Sequence, residues 1–179
     1  LVELLEQKYN FSYVLARIIA LRGIADNEVL AFLEPKLLSF MPNPSVLKDV
    51  DKAADRIANA IINKQKIAII GDYDVDGATS SAVLRLFLEK VGVVPDVHIP
   101  EREEGYGLNV EKIEKLSIKE KIDLIITVDC GISCYKEVEL IQDLGVDVIV
   151  TDHHEIPENL PNCITINCKL PCQEYPFSG

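Results

Sequence analysis

Residues 66–77 read KIAIIGDYDVDG: a β-branched run, three aspartates at alternate positions, and a glycine that leads into ATSSAVLRLFLEK. A short, nearly continuous apolar run suits burial on both faces, which a strand inside a parallel sheet requires. The same pattern recurs in DVHIP (96–100), DLIITVD (123–129), DVIVTD (147–152) and CITIN (163–167). Helical stretches over 78–91, 110–120 and 133–144 separate most of these runs. Such β-α-β alternation implies an α/β fold, a parallel β-sheet with helices on both faces.

Upstream of residue 63 the pattern is helical. Val14, Leu15, Ile18 and Ile19 share one helical face, as do Val29, Leu30 and Leu33. Pro35, Pro42 and Pro44 divide this region into two short helices and an extended connector, followed by a longer helix over 46–63. The expected organisation is a short helical N-terminal segment, 1–47, and one α/β domain, 48–179.

The composition agrees. A chain of 179 residues with 48% hydrophobic and 26% charged residues suits one globular domain with a short appendage. Apolar runs such as LIITV are far shorter than the roughly 20 residues of a membrane span, and the N-terminus lacks signal-peptide character, so a cytoplasmic location is expected. Cys130, Cys134, Cys163, Cys168 and Cys172 lack CxxC spacing and read as reduced thiols. A start at Leu1 and a stop at YPFSG suggest an excerpt of a longer protein. The net charge of -11 argues against a broad basic surface for nucleic acid.

In parallel sheets, chemistry gathers at the carboxyl ends of the strands. The unusual polar residues fall there. Asp72, Asp74 and Asp76 follow the first run, Asp129 ends the third, and Asp152, His153 and His154 close the fourth. If the chain stays extended, residues two apart share a side, and Asp72, Asp74 and Asp76 converge. Close carboxylates repel one another unless a cation neutralises them, so a divalent metal is the economical reading. Gly77 permits a tight turn into the next helix, whose first amides suit a phosphate oxygen.

Blander readings exist for each group: an aspartate helix cap at 72–76, a lone cap at Asp129 with Ser133 capping the following helix, and a surface histidine pair. An EF-hand loop fails, because its twelfth position is Val83 and a strand precedes it. Adjacent side chains on an extended segment point apart, so one of His153 and His154 is placed to bind metal while the other faces substrate. No GxSxG, GxxxxGK[ST], HExxH or GxGxxG is present.

Taken in order, DYDVDG (72–77), VDCG (128–131) and TDHHE (151–155) resemble the first three motifs of the DHH phosphoesterase superfamily, named for the triplet found here as Asp152, His153 and His154. GDYDVDG, EREEGYGLN (101–109), VDCGIS and YPF, with LRGI, FLEPKL and MPNP upstream, are similar to the RecJ-type single-strand-specific exonucleases within it. The resemblance covers most of the chain.

It implies that Asp74, Asp76, Asp129 and His153 hold a pair of Mn²⁺ or Mg²⁺ ions, with Asp72 and Asp152 as ligands or as partners that orient them. It places His154 beside the scissile phosphate, Arg102 on a phosphate of the strand, and Gly105 and Tyr106 in the substrate region, Tyr106 stacking on a base or simply packing. The implied activity is 5′→3′ two-metal hydrolysis of single-stranded DNA to 5′-mononucleotides, in repair and recombination, by a cytoplasmic monomer without membrane attachment. Its protein partners are unspecified.

Three departures accompany the resemblance. The family's fourth metal-binding motif lies beyond YPF, its DHH-associated and oligonucleotide-binding domains are missing, and Asn167-Cys168 replaces the usual Asn-Pro. The chain alone is therefore expected to have weak exonuclease activity or none. Two further readings are kept: another DHH phosphoesterase acting on short oligonucleotides, cyclic dinucleotides or pyrophosphate, and a non-catalytic module that holds a structural cation.

Overall fold

The computed structural model describes residues 1–36, 40–101, 107–111, 113–114, 121–171 and 175–177. The backbone packs as two units, Leu1–Pro42 and Asn43–Gly179.

The first unit holds α1 (Val2–Tyr9), α2 (Tyr13–Leu21) and α3 (Val29–Leu33), with a 3-10 turn at Asp26–Glu28 before α3. Asn10, left-handed at φ 55, ends α1, and the Ser12 hydroxyl accepts from the Leu15 amide to start α2. The core is Leu5, Ala16, Ile19 and Val29, flanked by Val2, Tyr9, Phe11, Leu15 and Ile24. The expected apolar faces are only partly used, since Val14, Ile18 and Leu30 are exposed. Helices this short bury a narrow stripe at three-and-four spacing, not the whole apolar arc. Among the described residues the region holds α1 in addition to the two expected helices, because α1 precedes the segment whose periodicity is strongest.

The second unit is the expected α/β sheet. After a 3-10 turn at Pro44–Val46 come α4 (Val50–Ile62), β1 (Ile67–Gly71), α5 (Val75–Lys90), β2 (Asp96–His98), β3 (Leu124–Val128), α6 (Tyr135–Asp143), β4 (Asp147–Asp152) and β5 (Ile164–Asn167). The strand order is β2-β1-β3-β4-β5, and every pairing is parallel. α4 starts later than the expected 46–63, because Pro44 heads a separate turn and Asp49 is left-handed at φ 63. Of the helix expected over 110–120, residues 110–111 and 113–114 are helical and the remainder lies outside the described residues.

Two cores follow from the strand period of two. Ala68, Ile70, Ile125, Val148 and Val150 face α6 through Val138 and Ile141. Ile67, Ile69, Leu124, Ile126, Val128 and Ile149 face α4 and α5 through Ala53, Ala60 and Leu88. β1 and β3 are buried throughout. β2 departs from the expectation: paired only to β1 among the described residues, it leaves Asp96 and Val97 exposed.

The chain runs outward from β1 to β2 and then returns to place β3 on the other side of β1. Right-handed crossovers in opposite directions put their helices on opposite faces, as α5 and α6 are. The loops therefore diverge between β1 and β3 and open a crevice at their carboxyl ends.

Candidate metal centre

At the end of β1 the chain leaves the extended conformation sooner than the alternating aspartates suggest. Asp74 is the N-cap of α5, with φ -89 and ψ -172, and its Oδ1 accepts from the Asp76 amide at 2.9 Å and the Gly77 amide at 3.0 Å. Asp76 thus lies in the first helical turn, and the three carboxylates do not share one side of a strand. Asp72 is buried at the strand end, where its Oδ1 accepts from the Tyr73 amide at 2.7 Å. Gly77 serves close packing instead of a turn. A Cβ there would lie 2.3 Å from the Asp72 carbonyl oxygen and 2.4 Å from its nitrogen. The Gly77 amide, ahead of all other causes, holds the Asp74 carboxyl below the usual carboxylate range.

At the end of β3, Asp129 adopts φ 62, a left-handed conformation that aspartate tolerates better than most residues. Its amide donates to the Thr151 carbonyl at 3.0 Å. Its side chain is 4% exposed, and Oδ1 lies 3.0 Å from His153 Nε2. Oδ2 is buried with no donor among the described residues. Burial, then the Asp74 carboxylate, push the Asp129 carboxyl up to about 6, against an opposing pull from the two histidines. α6 begins at Tyr135 with Cys134 at the cap position and no side-chain cap, so Ser133 does not cap it.

At the end of β4, the Asp152 side chain is fully buried and works on the backbone. Its Oδ1 accepts from the His153 amide at 2.7 Å, the His154 amide at 3.0 Å and His154 Nδ1 at 2.7 Å, while Oδ2 accepts from the Ile132 amide at 2.9 Å. This wrap turns the chain out of the extended form. The imidazoles, expected to point apart, come together with ring centroids 4.9 Å apart. Asn167, 1% exposed at the end of β5, donates through Nδ2 to the His154 carbonyl at 3.0 Å.

The assembled site has two overlapping ligand groups. Atoms of Asp129, His153 and His154 lie within 4.8 Å of one another, and so do atoms of Asp72, Asp74 and Asp129. Asp129 belongs to both. Asp76 stands outside these groups but lines a cleft of about 380 Å³ with Ser80, Val128, Asp129, Thr151, Asp152 and His153. Arg102, Gly105 and Tyr106 lie outside the described residues.

The donor set fits a hard or borderline divalent cation such as Mn²⁺ or Mg²⁺: carboxylate oxygens with imidazole nitrogen, gathered against their own repulsion, with the buried Asp129 Oδ2 unpartnered. Cys130, Cys134, Cys163 and Cys168 carry no disulfide, and burial pushes the Cys130, Cys134 and Cys163 thiols up, away from reactive thiolate. Thr127, Thr151 and Asn167 support the site although nothing in their local sequence marks them; their partners lie on other strands or across a turn.

The DHH family, N-terminal domain, matches residues 66–178. Single-stranded-DNA-specific exonuclease RecJ of Bacillus subtilis (strain 168) is 41% identical over 180 residues, which cover 98% of this chain and 22% of that protein. RecJ of Thermus thermophilus is 43% identical over 127 residues, 69% of this chain and 18% of that one. Among solved structures, RecJ in complex with Mn²⁺ from Thermus thermophilus is similar with a TM-score of 0.76 and 28% identity, covering 97% of this chain and 24% of that one. Exonuclease RecJ bound to manganese gives a TM-score of 0.65 and 36% identity over 74% of this chain and 34% of that one. The chain spans about a fifth of the length of these two curated relatives. A match over 66–178 takes in all three strand ends of the metal centre, and with relatives of this identity the chain belongs to the DHH family and is of the RecJ type.

Proposed function

We propose that this chain supplies the DHH part of the active site of a single-stranded-DNA-specific 5′→3′ exonuclease that hydrolyses phosphodiesters with two divalent ions, Mn²⁺ or Mg²⁺. The observation that carries this reading is the sharing of Asp129 between two ligand groups drawn from three strand ends. The names of the relatives support the substrate, and the manganese-bound structures support the metal.

In this proposal Asp74, Asp76, Asp129 and His153 hold the ions, and Asp72 adds a carboxylate behind them. Bound divalent ions supply Lewis acidity, a nucleophile at neutral pH and charge neutralisation. The chain's own groups do the positioning. Asp152, accepting from three backbone amides and His154 Nδ1, fixes the backbone of both histidines and the orientation of the His154 ring. His154 is assigned to the scissile phosphate, and Arg102, Gly105 and Tyr106 to the strand. Asp74 has a second duty as the cap of α5, which ties the ligand position to a rigid 16-residue helix.

The proposed products are 5′-mononucleotides, and the proposed setting is DNA repair and recombination by a cytoplasmic monomer. Among the described residues no helix is long and apolar enough to cross a membrane. Residues 48–179 are proposed as the DHH domain and 1–47 as its helical lead. A chain with about a fifth of its relatives' length and a net charge of -11 is expected to degrade DNA weakly or not at all by itself.

The test is digestion of 5′-phosphorylated single-stranded DNA by the full-length protein, in Mn²⁺ or Mg²⁺ and in EDTA, beside dinucleotide, cyclic dinucleotide and pyrophosphate substrates. Metal-dependent release of mononucleotides from the long strand is expected. Preference for any of the small substrates would replace the reading with another DHH phosphoesterase.

A further inference from the structure

β3 reads LIITV, and its polar residue, Thr127, is fully buried. A valine would fill that space without a hydroxyl to desolvate, so the hydroxyl needs a bond to justify its position. It has one. Thr127 Oγ1 donates to the Cys130 carbonyl at 2.7 Å and closes the turn 127–130 around Asp129. The loop is seated directly on that oxygen, since a Cβ on Gly131, at φ 104, would lie 2.8 Å from Thr127 Oγ1. From the next strand, Thr151 Oγ1 donates to the Thr127 carbonyl, and the Asp129 amide donates to the Thr151 carbonyl at 3.0 Å. Thr127 does not line the cleft; Val128 and Asp129 do.

We infer that Thr127 is a positioning residue for the metal centre: its hydroxyl holds Asp129 in the left-handed conformation that presents one carboxylate to both ligand groups. Loosening this turn displaces the ligand that the two groups share, so both ion positions weaken together. The inference rests on the reading above, in which Asp129 holds the ions.

The experiment is calorimetric titration of Mn²⁺ into the full-length wild-type, Thr127→Ser and Thr127→Ala proteins, with thermal unfolding of each in EDTA. Ser and Ala lose the same methyl group and differ by the hydroxyl. Ser is expected to bind Mn²⁺ within about twofold of wild type and Ala about tenfold more weakly, whatever their unfolding temperatures. Should the Ala protein not fold, Thr127→Val keeps the volume and is expected to bind like Ala. Equal Mn²⁺ affinity for the variants with and without the hydroxyl overturns the positioning role and leaves the metal centre standing. A wild-type protein that takes up no Mn²⁺ overturns both.

Discussion

The aspartates that end β1 and β3 meet in one cluster, yet the backbone treats them oppositely. Asp74 is exposed and sits where α5 begins, so two amides without helical partners converge on its carboxylate and its acidity rises. Asp129 is sealed behind a left-handed turn, with Oδ2 unpartnered and its carboxyl pushed up to about 6. A carboxylate already satisfied by its own backbone tolerates the site without a cation. One whose second oxygen is buried without a donor among the described residues, and which faces another carboxylate, does not. The demand for metal is therefore concentrated at β3, while β1 contributes a rigid, preorganised ligand.

The largest effect that tests this contrast is on turnover. Asp129→Asn in the full-length protein is expected to lower exonuclease activity by about a thousandfold, roughly 4 kcal/mol of lost charge stabilisation. In EDTA the same variant should be at least as stable as wild type, because it removes a buried repulsive charge. A clear loss of stability in EDTA would show that Asp129 is structurally satisfied and erase the contrast.

Next comes the rigidity of the β1 side. Gly77→Ala places a Cβ 2.3 Å from the Asp72 carbonyl oxygen, with backbone as the only thing to yield, and is expected to cost about 3 kcal/mol in urea unfolding. A cost below about 1 kcal/mol would mean that the turn is plastic and Asp74 is not held rigidly.

The pH dependence has the opposite sign at the two positions. Asp129 binds a proton more tightly folded than unfolded, so without metal its contribution to stability is full below pH about 4 and is lost as pH rises through about 6. The decline is about 2 kcal/mol over that window. Asp74, lowered on folding, contributes above the ordinary carboxylate range and loses that contribution as pH falls. Chemical unfolding in EDTA from pH 4 to 7 should show a falling component that Asp129→Asn abolishes; an identical profile in the variant assigns the decline elsewhere. Smallest is Asp74→Ala in EDTA, expected to lower the unfolding temperature slightly as a lost cap, partly offset by relief of Asp129. A rise in unfolding temperature would show that repulsion outweighs capping.

The strand runs are legible because burial on both faces leaves mostly apolar residues, and β1, β3, β4 and β5 lie where such runs stand. The strand-end location of Asp72, Asp74, Asp129, Asp152, His153 and His154 follows from the same pattern. Local geometry does not. Alternation suggests an extended chain through Asp76, but Asp74 is a good cap, and a cap residue starts a helix at once. Strand geometry sets the histidines apart, and Asp152 overrides it by drawing two amides onto one oxygen. In α2 periodicity marks Val14 and Ile18 as inward, but the small core shared by α1, α2 and α3 needs less apolar surface than the sequence offers.

By itself the sequence determined the strand runs, the carboxyl-end aspartates and histidines and the kinship of their motifs, because each is written in a local pattern of residue types. Only the tertiary structure decided that β3 lies against β1 opposite β2, that Asp129 is shared between two ligand groups, and that Thr127 and Asn167 brace them. Those facts depend on burial and on hydrogen bonds that form only once the strands and their end loops are packed, and a local pattern of residue types names no such partner in advance.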